Sequence, residues 1–267
     1  MKLTGKNILL TGGTSGLGLE TARILVSEGA IVYSMGRTLK GSLPESSSYR
    51  FISTDFSDLS KVKSTLLALK NENVKFDIVI NNAGVLTSPD YAETMQGFEY
   101  SFQVNFLSHL LVSDTILREG MFSSSLIMAV VTSPVYRMAK PGFSFPSREG
   151  FRGFKTYTET KYYLLHLGSF LRDRYPSAGF MFIGYNPGTF SSGIYRMQHK
   201  WFRAVYRIGN YMLKHPGRVA GPLCSVLKRE DLSFNTVYSV HGTEKPFLNA
   251  GDKEAGRFLD ECLRRLG

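Results

Sequence analysis

Short apolar runs alternate with longer amphipathic stretches along most of this chain. The short runs have the length and composition of buried strands, whereas the longer stretches repeat apolar residues every three or four positions, as amphipathic helices do. The predicted strands span residues 7–11, 30–35, 49–53, 76–80, 125–131, 180–185 and 236–240. The predicted helices span residues 17–27, 59–71, 97–117, 156–174 and 253–265. This alternation predicts an α/β fold in which helices cover a parallel sheet.

Two segments interrupt the alternation. Residues 136–154 are rich in Pro, Gly, Ser and basic side chains and are expected to form a long loop. Residues 188–216 are expected to lie over the carboxyl edge of the sheet, and residues 196–215 within them show apolar positions at helical spacing. We interpret residues 189–216 as a helical lid over a substrate site. Since no linker or internal repeat divides the chain, residues 1–267 are predicted to form a single domain.

A glycine-rich turn follows the first predicted strand and opens the first predicted helix. Gly12 permits the tight turn, Gly16 lets the backbone approach a pyrophosphate, and Gly18 lets the helix pack closely on the strand. The N-terminus of that helix offers free N–H groups and a partial positive charge to phosphates. The turn therefore predicts a dinucleotide cradle, formed by Gly12, Thr14, Ser15, Gly16, Leu17 and Gly18.

The end of the second strand indicates which dinucleotide is preferred. An NAD enzyme usually places an acidic residue there to bind the ribose hydroxyls, but this chain has Gly36 followed by Arg37. A guanidinium can bind a 2′-phosphate that a carboxylate would repel, so NADP(H) is favoured over NAD(H). Asp55, after the third strand, is predicted to accept from the adenine amino group. Asn82, Ala83 and Gly84, after the fourth, are predicted to bring backbone close to the ribose.

Tyr157 and Lys161 are four residues apart on a predicted helix, so their side chains share one face. A free phenol has a pKa of about 10 and is a poor acid or base at neutral pH. A nearby ammonium and an oxidised nicotinamide both favour phenolate, so Tyr157 is expected to exchange a proton with the substrate oxygen. Ser133 can hydrogen-bond the same oxygen. Asn105, in the long predicted helix, is expected to hold a water that connects Lys161 to solvent.

These motifs together resemble the short-chain dehydrogenase/reductase family from Thr11 to beyond Ser192. The resemblance implies a doubly wound, Rossmann-type parallel sheet with helices on both faces, and an oxidoreductase that uses a nicotinamide cofactor. In that family a pattern similar to Asn186-Pro187-Gly188-Thr189 lies against the nicotinamide. The resemblance therefore adds cofactor neighbours, namely Pro187, Gly188, Thr189, Phe190 and Ser192.

Two further features resemble the retinol-dehydrogenase-like branch of this family. One is the run Gly97-Phe98-Glu99 before the stretch from Val104 to His109, and the other is the long gap between Ser133 and Tyr157. Pro134, directly after Ser133, departs from the small residues usual at that position and is expected to reshape the floor of the pocket.

The predicted substrate is a small lipophilic carbonyl or alcohol. Apolar side chains in the long loop are expected to lie near Tyr157, namely Met138, Phe143, Phe145, Phe151 and Phe154. The 196–215 helix has three interpretations: a lid, a surface with Trp201 and Phe202 that rests on anionic membranes, or a basic face that steers an anionic substrate. A homodimer is also left open, as is a catalytically silent nucleotide-binding regulator in place of an enzyme.

Charge and composition limit which other partners and which cellular location are expected. The formal net charge is +10, and the segment from Tyr195 to Arg229 inclusive has eight basic residues but no acidic one. Because zinc-ligand spacing and RNA-binding signatures are absent from the sequence, we expect neither a nucleic-acid partner nor a metal site. No apolar run approaches the roughly 18 residues of a spanning helix. The first residues do not resemble a secretory signal, and the two cysteines are too few for a disulfide framework, so a cytoplasmic protein is expected.

Overall fold

The computed structural model describes residues 1–38, 43, 45–140, 142–189, 215–247 and 252–267, without the side chains of 243–245. Its strands are β1 Asn7–Thr11, β2 Ile31–Gly36, β3 Tyr49–Ser53, β4 Phe76–Asn81, β5 Phe122–Val131, β6 Phe180–Asn186, β7 Thr236–Ser239 and β8 Gly242–Pro246. They form one sheet in the order β3-β2-β1-β4-β5-β6-β7-β8. All neighbours pair in parallel except β8, which runs antiparallel to β7.

The strand order reverses direction between β1 and β4, which is the switch point of a doubly wound sheet. Strands β2 and β3 extend to one side of β1, and strands β4 to β7 extend to the other. Ligands of such sheets bind at the carboxyl ends of the strands beside this switch point. The predicted Rossmann-type α/β fold is confirmed, and the turns after β1 and β4 lie at that position.

Helices cover both faces of the sheet. They are α1 Gly16–Ser27, α2 Leu59–Asn71, α3 Tyr100–Phe102, a π-helical turn Gln103–Leu107, α4 Ser108–Arg118, a 3₁₀ turn Pro134–Met138, α5 Gly153–Arg174, α6 Gly217–Leu227 and α7 Lys253–Leu266. The buried residues of α1 and α6 form one apolar core with β1, β2, β4, β5 and β6. Those of α2, α4, α5 and α7 form a second core on the opposite face.

The long helix predicted over residues 97–117 is wrong in its start and in its continuity. Gly97 has a positive φ of 77°, and the carboxylate of Glu99 accepts from the backbone N–H of Phe102, so the helix begins only at Tyr100. A π-helical turn then separates α3 from α4. Such single turns are often found at functional sites, and this one carries Asn105.

Other differences from the predicted elements lie in the carboxyl half of the chain. The 3₁₀ turn overlaps the start of the predicted loop at residues 136–138, and Pro134 is at its first position, where a missing N–H costs nothing. Helix α6 and strand β8 were not predicted at all. The predicted lid at 189–216, including Trp201 and Phe202, lies almost entirely outside the described residues. Within the described part of the chain, no helix has the length and apolar character needed to cross a bilayer.

Candidate active site

The glycine turn after β1 forms an open cradle, and side chains at its glycine positions would be strained or would clash with neighbouring atoms. Gly12 has a φ of 71° and Gly16 a φ of 54°, both in the region that favours glycine. A Cβ on Gly18 would lie 2.2 Å from the carbonyl oxygen of Gly12 and 2.6 Å from Nδ2 of Asn82. Nδ2 of Asn82 donates to the Thr11 carbonyl oxygen at 2.9 Å, so the loop after β4 is tied to the same turn.

Helix α1 directs its free N–H groups at this cradle. Ser15 is the residue before the helix, and its side chain makes no capping hydrogen bond to it. A Cβ built on Gly16 meets no atom of the described residues within 4 Å, so among them the first turn is open on the cavity side. An uncapped helix start with open space in front of it is suited to a pyrophosphate.

A cavity of about 830 Å³ extends from this turn along the carboxyl ends of the strands. This volume is at the upper end for a small-molecule site, and an extended dinucleotide needs such space. The predicted site residues that line it are Gly12, Thr14, Ser15, Gly16, Leu17, Gly18, Arg37, Asp55, Asn82, Ala83, Gly84, Ser133, Tyr157, Lys161, Pro187, Gly188 and Thr189. Asn105 does not line it, while Phe190 and Ser192 lie outside the described residues.

Arg37 lies at one end of the cavity, after β2. Its Nη1 donates to the hydroxyl of Tyr100 at 3.4 Å, and Tyr100 also lines the cavity. A Cβ on Gly36 would lie 3.0 Å from Oγ1 of Thr14, so a larger side chain is crowded at the position where NAD enzymes carry an acid. Asp55 is the one carboxylate among the described cavity residues, and its Oδ1 accepts from the backbone and hydroxyl of Ser57.

Tyr157 and Ser133 meet at the other end of the cavity. Tyr157 lies on α5 and Ser133 precedes the 3₁₀ turn, so the helix and the end of β5 bring them together. Burial raises the pKa of Tyr157 to about 12, and a hydrogen bond with Ser133 opposes this rise. This differs from the expected lowering by Lys161, because desolvation of the phenol is the larger effect in the protein alone. Tyr157 is therefore protonated at neutral pH.

Lys161 is buried beside them and is tied to β5. Its Nζ donates to the carbonyl oxygen of Val131 at 2.9 Å, and Oγ1 of Thr132 donates to the Lys161 carbonyl oxygen at 2.9 Å. A Cβ on Gly84 would lie 3.5 Å from Nζ, so the amine approaches the loop after β4. Burial lowers the pKa of Lys161 to about 8.

The Asn105 side chain is occupied by the backbone of Val85. Its Nδ2 donates to the Val85 carbonyl oxygen at 2.8 Å, and its Oδ1 accepts from the Val85 N–H at 2.7 Å. The amide thus holds the loop after β4 in the way that a neighbouring strand would. Its predicted role of holding a water for Lys161 stays a prediction.

The end of the cavity near Tyr157 is apolar, although fewer loop residues contribute than predicted. Phe154 lines it with 55% of its surface exposed, whereas Met138, on the 3₁₀ turn, is 62% exposed but does not line the cavity. Phe143 and Phe145 instead pack on Phe258 of α7, with ring centroids 5.7 and 5.1 Å apart. The expectation that these two rings form the apolar surface beside Tyr157 is wrong, because both pack, partly buried, against the second core and neither lines the cavity. Phe151 also packs elsewhere, against the ring of Tyr91.

A model of the short chain dehydrogenase family matches residues 6–201 of this chain. The chain belongs to the short-chain dehydrogenase family. The match includes the glycine turn, Asn105, Ser133, Tyr157 and Lys161.

Curated relatives agree with this assignment. The chain is 32% identical over 201 residues to the oxidoreductase calI of Penicillium decumbens, covering 68% of this chain and 58% of that protein. It is 31% identical over 207 residues to retinol dehydrogenase 12 of Homo sapiens, covering 73% of this chain and 65% of that protein. The chain therefore spans less than two thirds of the length of these two relatives. The short-chain dehydrogenase/reductase drtF of Aspergillus calidoustus is 27% identical, with 94% of this chain and 84% of that protein covered.

Solved structures share the fold at low sequence identity. A short-chain dehydrogenase from Leptospira borgpetersenii with bound NAD+ has a TM-score of 0.67 and 20% identity, covering 90% of this chain and 92% of that chain. A 3-ketoacyl-(acyl-carrier-protein) reductase from Brucella melitensis complexed with NADH has a TM-score of 0.64 and 20% identity, covering 89% and 97%.

Several cavity residues of this short-chain dehydrogenase carry no motif and were not predicted. They are Thr38, Phe56, Val85, Leu86, Tyr100, Val131, Thr132 and Val135. Position alone could have indicated two of them, because Phe56 follows Asp55 and Val85 follows Gly84 at the carboxyl ends of strands. Tyr100 gave no such signal, since it reaches the cavity from a helix start that the sequence placed elsewhere.

Proposed function

We propose that this chain is an NADP(H)-dependent oxidoreductase that interconverts a carbonyl and an alcohol on a small lipophilic substrate, with Tyr157 as the acid and base. The observation that carries the proposal is the hydrogen bond between Tyr157 and Ser133 in the wall of a dinucleotide-sized cavity, with Lys161 one helical turn away. Two hydroxyls within hydrogen-bond distance of each other can bind one substrate oxygen.

The proton chemistry follows from the environment of Tyr157. With a pKa of about 12, the phenol holds its proton at neutral pH and can donate it to the alkoxide that develops during carbonyl reduction. Ser133 would donate a second hydrogen bond to the same oxygen. For alcohol oxidation the phenol must first lose its proton, which positive charge on Lys161 and on an oxidised nicotinamide favours.

The cradle residues fit a bound dinucleotide. The N-terminus of α1 would bind the pyrophosphate, Asp55 the adenine, residues 82–84 the ribose, and Pro187, Gly188 and Thr189 the nicotinamide side. Arg37, whose guanidinium lies against Tyr100 at the cavity end, would bind a 2′-phosphate. When bound, the cofactor supplies or accepts the hydride.

An exposed apolar side chain in the cavity wall supports the proposal of a lipophilic substrate. Phe154, which lines the cavity, is a large apolar side chain that remains more than half exposed. Exposed apolar surface beside a cavity is typical of a binding site for an apolar group. Such a substrate would bury the ring of Phe154 while its carbonyl reaches Tyr157 and Ser133.

The decisive experiment compares Tyr157→Phe with Tyr163→Phe. Both changes remove one hydroxyl from α5. The Tyr163 hydroxyl, however, bonds the backbone of Gly142 and Ser144, and the Tyr163 ring packs against Phe258 in the second core. With NADPH and a panel of lipophilic aldehydes and ketones, Tyr157→Phe should lose a factor of about 10² or more in kcat while keeping its Kd for NADPH. Tyr163→Phe should keep its turnover. Turnover retained in Tyr157→Phe would refute the assignment of the proton donor.

A further inference from the structure

His109 is a fully buried histidine that the proposed chemistry does not use. It lies in the first turn of α4, directly after the π-helical turn, and none of its surface is exposed. Its ring is 6.2 Å from the ring of Phe56, and its two nitrogens contact residues from two different parts of the site. A buried polar ring in an apolar core is costly unless both nitrogens are satisfied, and here both are.

The contacts of His109 fix the position of its hydrogen. Nδ1 lies 3.0 Å from the carbonyl oxygen of Asn105, which can only accept. Nδ1 therefore carries the hydrogen, and Nε2 is left as an acceptor. Nε2 lies 3.2 Å from Oγ1 of Thr11 and can accept its hydroxyl proton, for which the Ile80 carbonyl oxygen at 3.4 Å is the more distant acceptor.

The Thr11 hydroxyl continues this path to the loop after β4. Oγ1 of Thr11 accepts from the backbone N–H of Asn82 at 2.9 Å and of Ala83 at 3.0 Å. At the other end of the same loop, Val85 is held by the Asn105 side chain. Residues 82–85, Thr11, His109 and Asn105 thus form a closed ring of hydrogen bonds.

We infer that His109 is a positioning residue that closes this ring and so holds residues 82–85 in the shape that cofactor binding and Lys161 require. The inference rests on the proposed function for its effect on turnover. The loop contributes Asn82, Ala83 and Gly84 to the cavity wall and approaches Nζ of Lys161 through Gly84.

The charge state of His109 supports the same role. Burial and the charge of Lys161 lower the pKa of His109 to about 3, while the bond to Asn105 opposes this. The ring therefore stays neutral at every pH at which the folded protein would be assayed, and Nε2 remains able to accept from Thr11. A leucine of similar volume would leave the Asn105 carbonyl and the Thr11 hydroxyl each without this partner.

The test compares His109→Leu with His166→Leu, the same change at a second buried histidine that does not line the cavity. His109→Leu should weaken NADPH binding about tenfold, the order expected when buried hydrogen bonds are lost, and should lower kcat. His166→Leu should change the Tm but not the Kd. His109→Asn places an amide donor near the position of Nδ1 and should recover part of the loss.

A second measurement needs no cofactor. Amide hydrogen exchange at Asn82, Ala83 and Val85 reports the local opening of the loop directly. Exchange there should be at least tenfold faster in His109→Leu, relative to global unfolding, than in wild type or His166→Leu. If exchange and the Kd both stay within twofold of wild type, the positioning role is refuted. If exchange rises but no variant or wild type binds NADPH, the ring is upheld and the cofactor proposal fails instead.

Discussion

Nζ of Lys161 donates to the carbonyl oxygen of Val131, the last residue of β5, at 2.9 Å. The bond holds the amine at the carboxyl edge of the sheet, although burial makes its charge costly. Because the Thr132 hydroxyl also bonds the Lys161 backbone, α5 and β5 are joined at two adjacent points beside Tyr157. The charge of Lys161 and the position of the phenol therefore belong to one local structure.

The pH dependence of reduction should follow Lys161 and not Tyr157. Tyr157 keeps its proton up to a pKa of about 12, so it does not limit reduction at ordinary pH. Lys161 has a lowered pKa of about 8 and loses its charge as the pH rises through that value, so reductive kcat/KM should fall above pH 8. Lys161→Arg, which stays charged, should show a lower rate but no such fall. A wild-type profile that stays level well above pH 8 would contradict this origin.

NADP(H) preference should depend on Arg37. Arg37→Ala removes a charge-assisted contact to the 2′-phosphate, so NADPH binding should weaken by about 1.5–3 kcal/mol while NADH binding changes little. Arg23→Ala is a matched control, because Arg23 is an exposed arginine of α1 that does not line the cavity. Fluorescence titration of both cofactors measures the difference. Equal losses for NADPH and NADH would show that Arg37 acts on something other than the phosphate.

Two glycine-to-alanine changes should have opposite effects. In Gly18→Ala the new Cβ would lie 2.2 Å from the Gly12 carbonyl oxygen, so the turn must shift and cofactor binding should be lost, with a destabilisation of about 1–3 kcal/mol. Gly256 lies inside α7, and no described atom would come within 4 Å of its Cβ. Gly256→Ala should therefore stabilise the protein by up to about 1 kcal/mol and leave binding intact. Urea unfolding and NADPH titration of both variants measure these effects.

The parts of the site that local sequence determines could be predicted. The turn around Gly12 and Gly18 needs glycine wherever it occurs, and a spacing of four places Tyr157 and Lys161 on one helical face. The partners of Asn105 could not be predicted, because the bond to Val85 joins residues that are distant in sequence and depends on a π-helical turn. A change of helix type within a continuous apolar pattern leaves no periodicity signal.

Two other features that the sequence did not predict depend on tertiary contacts, namely helix α6 and the position of the Phe143 ring. Gly217, Gly221 and Pro222 argue against a helix, yet α6 forms because its apolar face packs beside α1 in the core. Phe143 lies in a loop of polar and small residues, yet its ring packs against Tyr163 of α5 and Phe258 of α7 in the second core. In both cases burial outweighed local propensity, and burial is not visible in a short window of sequence.

His166 is a buried histidine of α5 that does not line the cavity. Rings of Phe143, Tyr162 and Phe247 surround it, with centroids 4.8 to 4.9 Å away. Its Nε2 has no hydrogen-bond partner among the described residues. Burial lowers its pKa from 6.5 to about 4, and Asp252 opposes the shift. His166→Phe, which is aromatic and lacks the unsatisfied nitrogen, should be neutral or stabilising at pH 7.

The stabilities of the wild type and of His166→Phe should diverge as the pH falls. Between pH 6.5 and about 4 the unfolded wild type takes up a proton at His166 that the folded protein does not, so wild-type stability decreases through that window. The linked loss is at most about 3 kcal/mol, and the phenylalanine variant lacks it. His109 and the carboxylates titrate in both proteins, so they cancel in the difference. Urea unfolding at pH 7, 5.5 and 4.5 should show the advantage of His166→Phe growing at each step. A constant difference would mean that His166 is already protonated, or already paired, in the folded protein.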